Sequence, residues 1–276
     1  MNSINYINGQ WKTDLESTIP IQDTGFLLGD GLFETIRFDN KNLFNPKKHL
    51  TRLFKGLNVI RINLEDSEKK IILLLEEIIS KNKFKSGLLR LMITRGIATG
   101  PPWQYEGPPG IYITIRPITK ITTQKVKVVF YSETKYPIIR FNPAIKSLNY
   151  IGNMLAKKDA DKDQAYEPIF YNKAGFITEC AIRNIFFIKD NTLLTPTTDL
   201  GVLPGVMRST IIQIAEKMNL KIEEGFIPYK NINNMDEAFI SSTGIGLLPC
   251  FWDGWKSNYY LTKQIQNELN TIIYNY

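Results

Sequence analysis

The chain mixes two periodicities in an irregular order, and that mixture constrains its fold more than any other feature. Segments that alternate apolar and polar residues, or run apolar throughout, predict strands. "INYINGQWKTD" (4–14) and "GLFETIRFDNKNLF" (31–44) read as hairpins, the second turning at Asp39-Asn40, and "GLLRLMITRG" (87–96) and "GIYITIRPI" (110–118) read as longer strands. Between them Leu50, Leu53, Phe54 and Leu57 recur at helical spacing, and "SEKKIILLLEEIISKNK" (67–83) predicts a second amphipathic helix. Beyond the polar stretch "PITKITTQ" come the strands "KVKVVFYSE", "AYEPIFYN", "GFITECAIRNIFFIKDN", "TLLTP" and "EAFISSTG" and the helices "SLNYIGNMLAKKDADKD", "MRSTIIQIAEKMN" and "YLTKQIQNELNTIIYN". A doubly wound sheet would alternate strand and helix regularly. This order instead predicts an α+β fold of two domains, residues 1–118 and 124–276, joined by a linker at 119–123.

Composition narrows the function. With 43% hydrophobic and 12% aromatic residues the 276-residue chain can fill a sizeable core. Its net charge of +7 is spread among acids and apolar residues without a basic block, so a solvated basic surface is expected and not nucleic-acid binding. Cys180 and Cys250 are the only cysteines. They supply neither a disulfide framework nor a metal cluster, which fits a reducing cytoplasm. No signal peptide or membrane span is read, because "IILLLEEII" is too short and too charged. His49 is the sole histidine, which removes Ser-His-Asp and Cys-His schemes and histidine-rich metal sites. Any proton carrier is then expected to be a lysine or a carboxylate.

Five stretches could carry chemistry. Lys146 follows "NPAI" and precedes Ser147, a good N-cap for the expected helix. A helix start and an apolar surround both disfavour a charged amine, so a lowered pKa and a Schiff-base role are chemically sensible; the alternative is a lysine that snorkels to water. Glu179 lies in an apolar run and needs a cationic partner, either Arg183 or a protonated ring nitrogen of a ligand. In "LPGVMR" a Pro-Gly pair opens a helix whose first amides, around Val206 and Met207, could hold an anion. Ser242 and Thr243 end a strand before glycine, and Arg52 on the first helix could add a fixed charge. An amine, a buried acid and a phosphate cradle are the needs of pyridoxal 5'-phosphate.

The order of these motifs resembles the class IV aminotransferase family, of fold type IV, which includes branched-chain and D-amino acid aminotransferases and aminodeoxychorismate lyase. The matching stretches are "DTGFLLGDGLFETIR", "HLTRL", "LMITRG", "KSLNYIGNMLAKKDA", "ITECAIRNIFFIKDNTLLTP", "GVLPGVMR" and "FISSTGIGLLP". The resemblance implies that Lys146 is the Schiff-base lysine and acid/base, and that Glu179 pairs with the pyridine nitrogen. Arg52, Val206, Met207, Ser242 and Thr243 would hold the phosphate, Tyr150 would reach the phenolic oxygen, and the cofactor would sit between two domains of a homodimer. Substrate contacts are expected from Phe33, Thr35, Gly244 and a loop near Trp103. The arginine that D-amino acid aminotransferases and the lyase place after the glycine-rich turn is missing from "RGIATGPPWQYEG". Glu179-Cys180 and "GVMR" look like the lyase. The expected function is an aminotransferase acting on a small amino acid or amine and a 2-oxo acid, with 4-amino-4-deoxychorismate lyase as the alternative.

Overall fold

The computed structural model describes residues 3–101, 104–105, 107–118 and 124–274. The expected linker 119–123 and Trp103 lie outside the described residues. The chain divides into two units, Met1–Lys120 with Ile145–Asn149, and Ile121–Ala144 with Tyr150–Asn275. Five residues around Lys146 therefore belong with the first unit, far from it in sequence.

The first unit comprises β1 (Ile4–Ile7), β2 (Gln10–Thr13), α1 (Thr24–Leu28), β3 (Gly31–Asp39), β4 (Asn42–Leu43), α2 (Pro46–Val59), α3 (Glu68–Lys81), β5 (Gly87–Thr94) and β6 (Gly110–Pro117). Among the described residues its strands form one antiparallel sheet in the order β2-β1-β6-β5-β3-β4. The β3–β4 hairpin turns at Asn40-Lys41, both at positive φ, one residue later than expected because Asp39 still pairs with Asn42. Ser67 caps α3 by accepting from the Lys70 amide. Leu32, Ile36 and Phe38 of β3 share a core with Leu50, Leu53 and Leu57 of α2 and Ile71, Leu75 and Ile78 of α3. Each such buried side chain contributes roughly 1.5–3 kcal/mol.

β4 covers only the Phe38–Asp39 end of β3. The other end is taken by the 145–149 segment: the Phe33 amide donates to the Lys146 carbonyl at 2.9 Å, and the Leu148 amide donates to the Gly31 carbonyl at 3.0 Å. A Cβ at Gly31 would stand 2.5 Å from the Ile93 carbonyl oxygen and 2.9 Å from Leu148, so only glycine admits this approach.

The second unit comprises β7 (Val126–Ser132), α4 (Ile151–Lys162), β8 (Glu167–Tyr171), β9 (Ile177–Cys180), β10 (Asn184–Lys189), β11 (Thr192–Pro196), α5 (Val206–Lys217), β12 (Lys221–Gly225), β13 (Glu237–Ser242), β14 (Gly246–Phe251) and α6 (Tyr260–Tyr274). Its described strands form a mixed sheet in the order β12-β11-β10-β13-β14-β7-β8-β9. "GLLPCF" forms the strand β14 beside β13, an element that the sequence periodicity does not predict. The helix expected from Ser147 begins instead at Ile151, with Tyr150 at its N-cap. Ser147 is bridged to Leu32 in β3, and its hydroxyl accepts from the Asn149 amide at 3.3 Å. Cys180 and Cys250 are buried and free, and burial pushes both thiols up, so neither is a ready nucleophile.

Candidate active site

In the first unit, pairing with β3 fixes the backbone of Lys146 and lays its Nζ 4.5 Å from the ring centroid of Phe33. The same ring receives the Arg90 guanidinium at 4.0 Å, and Arg90 on β5 stands opposite Thr35 in the sheet register. Lys146, Phe33 and Thr35 are thus gathered on one strand region, with Arg90 as an addition. The sequence did carry a signal for Arg90, a single cation inside the apolar run "GLLRLMIT".

Arg52 is reached from the opposite direction along β3. Glu34 falls on the same alternation as Leu32, Ile36 and Phe38, so it faces α2 and is buried. Its carboxylate accepts from His49 Nδ1 at 2.7 Å, from Arg52 Nε at 2.8 Å and from Arg52 Nη2 at 2.6 Å. Burial alone would raise the Glu34 carboxyl, but Arg52 and the His49 hydrogen bond overcome that and hold it at about 2. Arg52 is therefore no loose surface charge: its guanidinium is fixed in a fork by an ionised acid. Neither Glu34 nor His49 was expected at the site. An acid on the core face of a strand was the available signal, since it demands a cationic or donating partner.

In the second unit, Glu179 and Arg183 do not pair. The turn after β9 carries Arg183 back to β8, where its Nη1 meets Glu167 and its Nη2 donates to the Tyr166 hydroxyl at 3.0 Å. Glu179 instead meets Arg140, which also donates to Glu133 at 2.6 Å from Nη2 and 3.0 Å from Nε. Burial alone would lower the Arg140 guanidinium, but Glu179 and Glu133 together raise it, so this arginine stays charged. The other Glu179 oxygen accepts from the Leu203 amide at 3.2 Å.

That contact ties the acid to the start of α5. Asn184 on β10 donates to the Leu203 carbonyl at 3.0 Å, and an ideal Cβ on Gly205 would lie 2.1 Å from Asn184 Oδ1. No side chain caps α5, and its first turn has no acid, so the amides of Val206 and Met207 begin the helix with its positive end open to an anion. Asn184 also pairs in register with Ser241, just before Ser242, Thr243 and Gly244. Ser241 Oγ is buried without a hydrogen-bond partner. The structure therefore brings Glu179, the α5 start and the end of β13 together, while Tyr150 stands at the start of α4. Taken by itself, the first unit holds a fixed cation and an amine, and the second an anchored acid and an uncapped helix start.

The family model for class IV amino-transferases matches residues 31–250, and the chain belongs to this family of enzymes. The D-alanine aminotransferase of Listeria monocytogenes serotype 4b is 30% identical over 244 residues, covering 85% of this chain and 82% of that protein. The branched-chain amino acid aminotransferase of Escherichia coli has the same fold, with a TM-score of 0.91, 22% identity and coverage of 100% of this chain and 96% of that one. A protein of Legionella pneumophila assigned as a 4-amino-4-deoxychorismate lyase superposes with a TM-score of 0.85 at 23% identity, covering 94% of this chain and 97% of that one.

Proposed function

We propose that this enzyme is a pyridoxal 5'-phosphate aminotransferase that moves an amino group between a small amino acid or amine and a 2-oxo acid, working in the reducing cytoplasm. The observation that carries the reading is the Lys146 amine set over Phe33, with Arg90 on the same ring. When bound, the cofactor supplies the aldehyde that exchanges the amino group and a ring that takes up charge from the substrate carbon. Lys146 holds the cofactor and then moves the proton at the substrate α-carbon. Glu179, kept in place by Arg140 and the Leu203 amide, holds a proton on the pyridine nitrogen. The Val206 and Met207 amides, Ser242, Thr243 and Arg52 hold the phosphate, and Tyr150 serves the phenolic oxygen. Phe33, Thr35 and Gly244 shape the substrate pocket. Arg90, beside Thr35, supplies the carboxylate-binding cation that the 97–109 loop lacks.

The lyase is the second reading, favoured by Met207: no hydroxyl stands at this position of α5, so only the backbone serves the phosphate there. Purified enzyme incubated with amino acids and 2-oxoglutarate is expected to yield glutamate. Pyruvate release from aminodeoxychorismate without any amino transfer would replace the first reading by the second.

We also propose a homodimer. Phe26, Leu27 and Leu28 of α1 are 61%, 53% and 51% exposed, and Leu15 and Ile21 add 90% and 64%. A surface so apolar calls for a partner, and a two-fold contact with a second copy covers it once on each subunit. Light scattering is expected to give twice the chain mass, and the double variant Phe26→Asp, Leu28→Asp the chain mass itself. A wild-type monomer at micromolar concentration would refute the assembly.

A further inference from the structure

His49 is a buried titratable group beside the Arg52 fork to which the reaction assigns no task. Its ring is fully buried on α2, and three charged groups bear on it: Glu34 from β3, Arg52 from its own helix and Lys146 from the 145–149 segment. Glu34 is ionised and can only accept, so at 2.7 Å the His49 Nδ1 must carry the proton of that hydrogen bond. Arg52 already places one cation on the same carboxylate, and a second cation there, in so buried a site, would meet both desolvation and repulsion. Burial accordingly lowers His49 below its ordinary range, with Glu34 opposing and both Arg52 and Lys146 adding to the effect. The ring is therefore neutral, and Nε2 is a lone pair. That atom is buried and has no hydrogen-bond partner.

We infer that His49 is a positioning residue for the anion site: its neutral ring, protonated on Nδ1, fixes the Glu34 carboxylate, and Glu34 in turn aims the Arg52 guanidinium at the phosphate. The inference rests on the reading that Arg52 holds that phosphate. Two features separate it from mere core packing. A leucine or phenylalanine would fill the same volume on α2 beside Leu50 and Leu53 without an orphaned ring nitrogen, which native interiors seldom leave. Glu34 also has more acceptor sites than Arg52 alone satisfies, since a carboxylate offers about four lone pairs and the guanidinium fork takes two. Without the Nδ1–H bond the carboxylate could rotate about its last torsion and carry the fork with it.

Because His49 is the only histidine, a ¹⁵N-histidine label reports one ring without assignment. In the whole enzyme at neutral pH the label is expected to show a neutral ring with the proton on Nδ1. A charged ring, or a proton on Nε2, overturns the inference outright. The second measurement is binding of inorganic phosphate to the cofactor-free enzyme, well below each protein's melting temperature. His49→Asn, whose amide nitrogen can occupy the Nδ1 position, is expected to bind phosphate within about threefold of wild type. His49→Gln, whose amide lies at the Nε2 position, is expected to bind at least about tenfold more weakly, the scale of one hydrogen bond to a charged group. Equal binding by the glutamine variant and wild type would refute the positioning role. Arg52→Ala is the control on the underlying reading: if wild type and this variant bind phosphate equally, Arg52 is not a phosphate residue, and both statements fall. If Arg52→Ala weakens binding while His49→Gln does not, only the role of His49 falls. Should either histidine variant fail to fold, the label in wild type still decides.

Discussion

Lys146→Ala is expected to abolish the borohydride-trapped adduct with pyridoxal 5'-phosphate and to lower amino transfer by at least about a thousandfold, because the same amine both holds the cofactor and moves the substrate proton. The fold should persist. The backbone bonds from Phe33 and to Gly31 do not involve the side chain, and the contact of Nζ with the Phe33 ring is worth about 0.5–2 kcal/mol. The melting temperature should therefore move by only a few degrees. Reduction with borohydride followed by peptide mass measurement checks the first part: wild type should carry the cofactor mass on the peptide containing Lys146. An alanine variant that still traps cofactor on another lysine, with turnover intact, would remove Lys146 from its assigned role.

Much of this was readable from the residues alone, and the exceptions share a cause. α2 and α3 follow from apolar spacing and from a serine cap, which are local properties. The β1–β2 hairpin follows from Asn8-Gly9, which takes positive φ at both positions. α4 starts later than its capping chemistry predicts because Ser147, a good N-cap by residue type, is claimed by the open edge of β3, over a hundred residues earlier in the chain. Glu179 was identified as an acid in need of a cation, yet its partner Arg140 lies 39 residues away, whereas the nearby Arg183 is drawn to Glu167. Strand alternation placed Glu34 on the core face in plain view, but naming Arg52 and His49 as its partners required knowing which helix covers β3. Local rules fix elements; partners across a sheet depend on topology that periodicity does not encode.

Glu34→Ala should destabilise the fold strongly. The Glu34 side chain is 1% exposed and Arg52 only 12%, so removal of the carboxylate takes the anion from a guanidinium that water cannot fully reach, and it removes the hydrogen-bond partner of His49 Nδ1. Breaking a buried pair by deleting one member costs about 3–5 kcal/mol. The pH dependence gives an independent check. Glu34 is held at about 2 in the folded protein against an ordinary 4.5, so its contribution is complete above the ordinary value and is lost as pH falls toward about 2. His49 is also depressed, from an ordinary 6.5; the unfolded chain takes up that proton first, and stability begins to fall once pH drops below this value. Urea unfolding of wild type should thus show declining stability from mildly acidic pH downward, steepening below the carboxylate value. Glu34→Gln, which keeps the shape but not the charge, should be less stable than wild type at neutral pH and converge on it in strong acid, because both then lack the anion. A glutamine variant as stable as wild type at neutral pH would mean that the three-residue cluster does not hold Arg52 electrostatically, and that the fork seen on Glu34 is a consequence of packing.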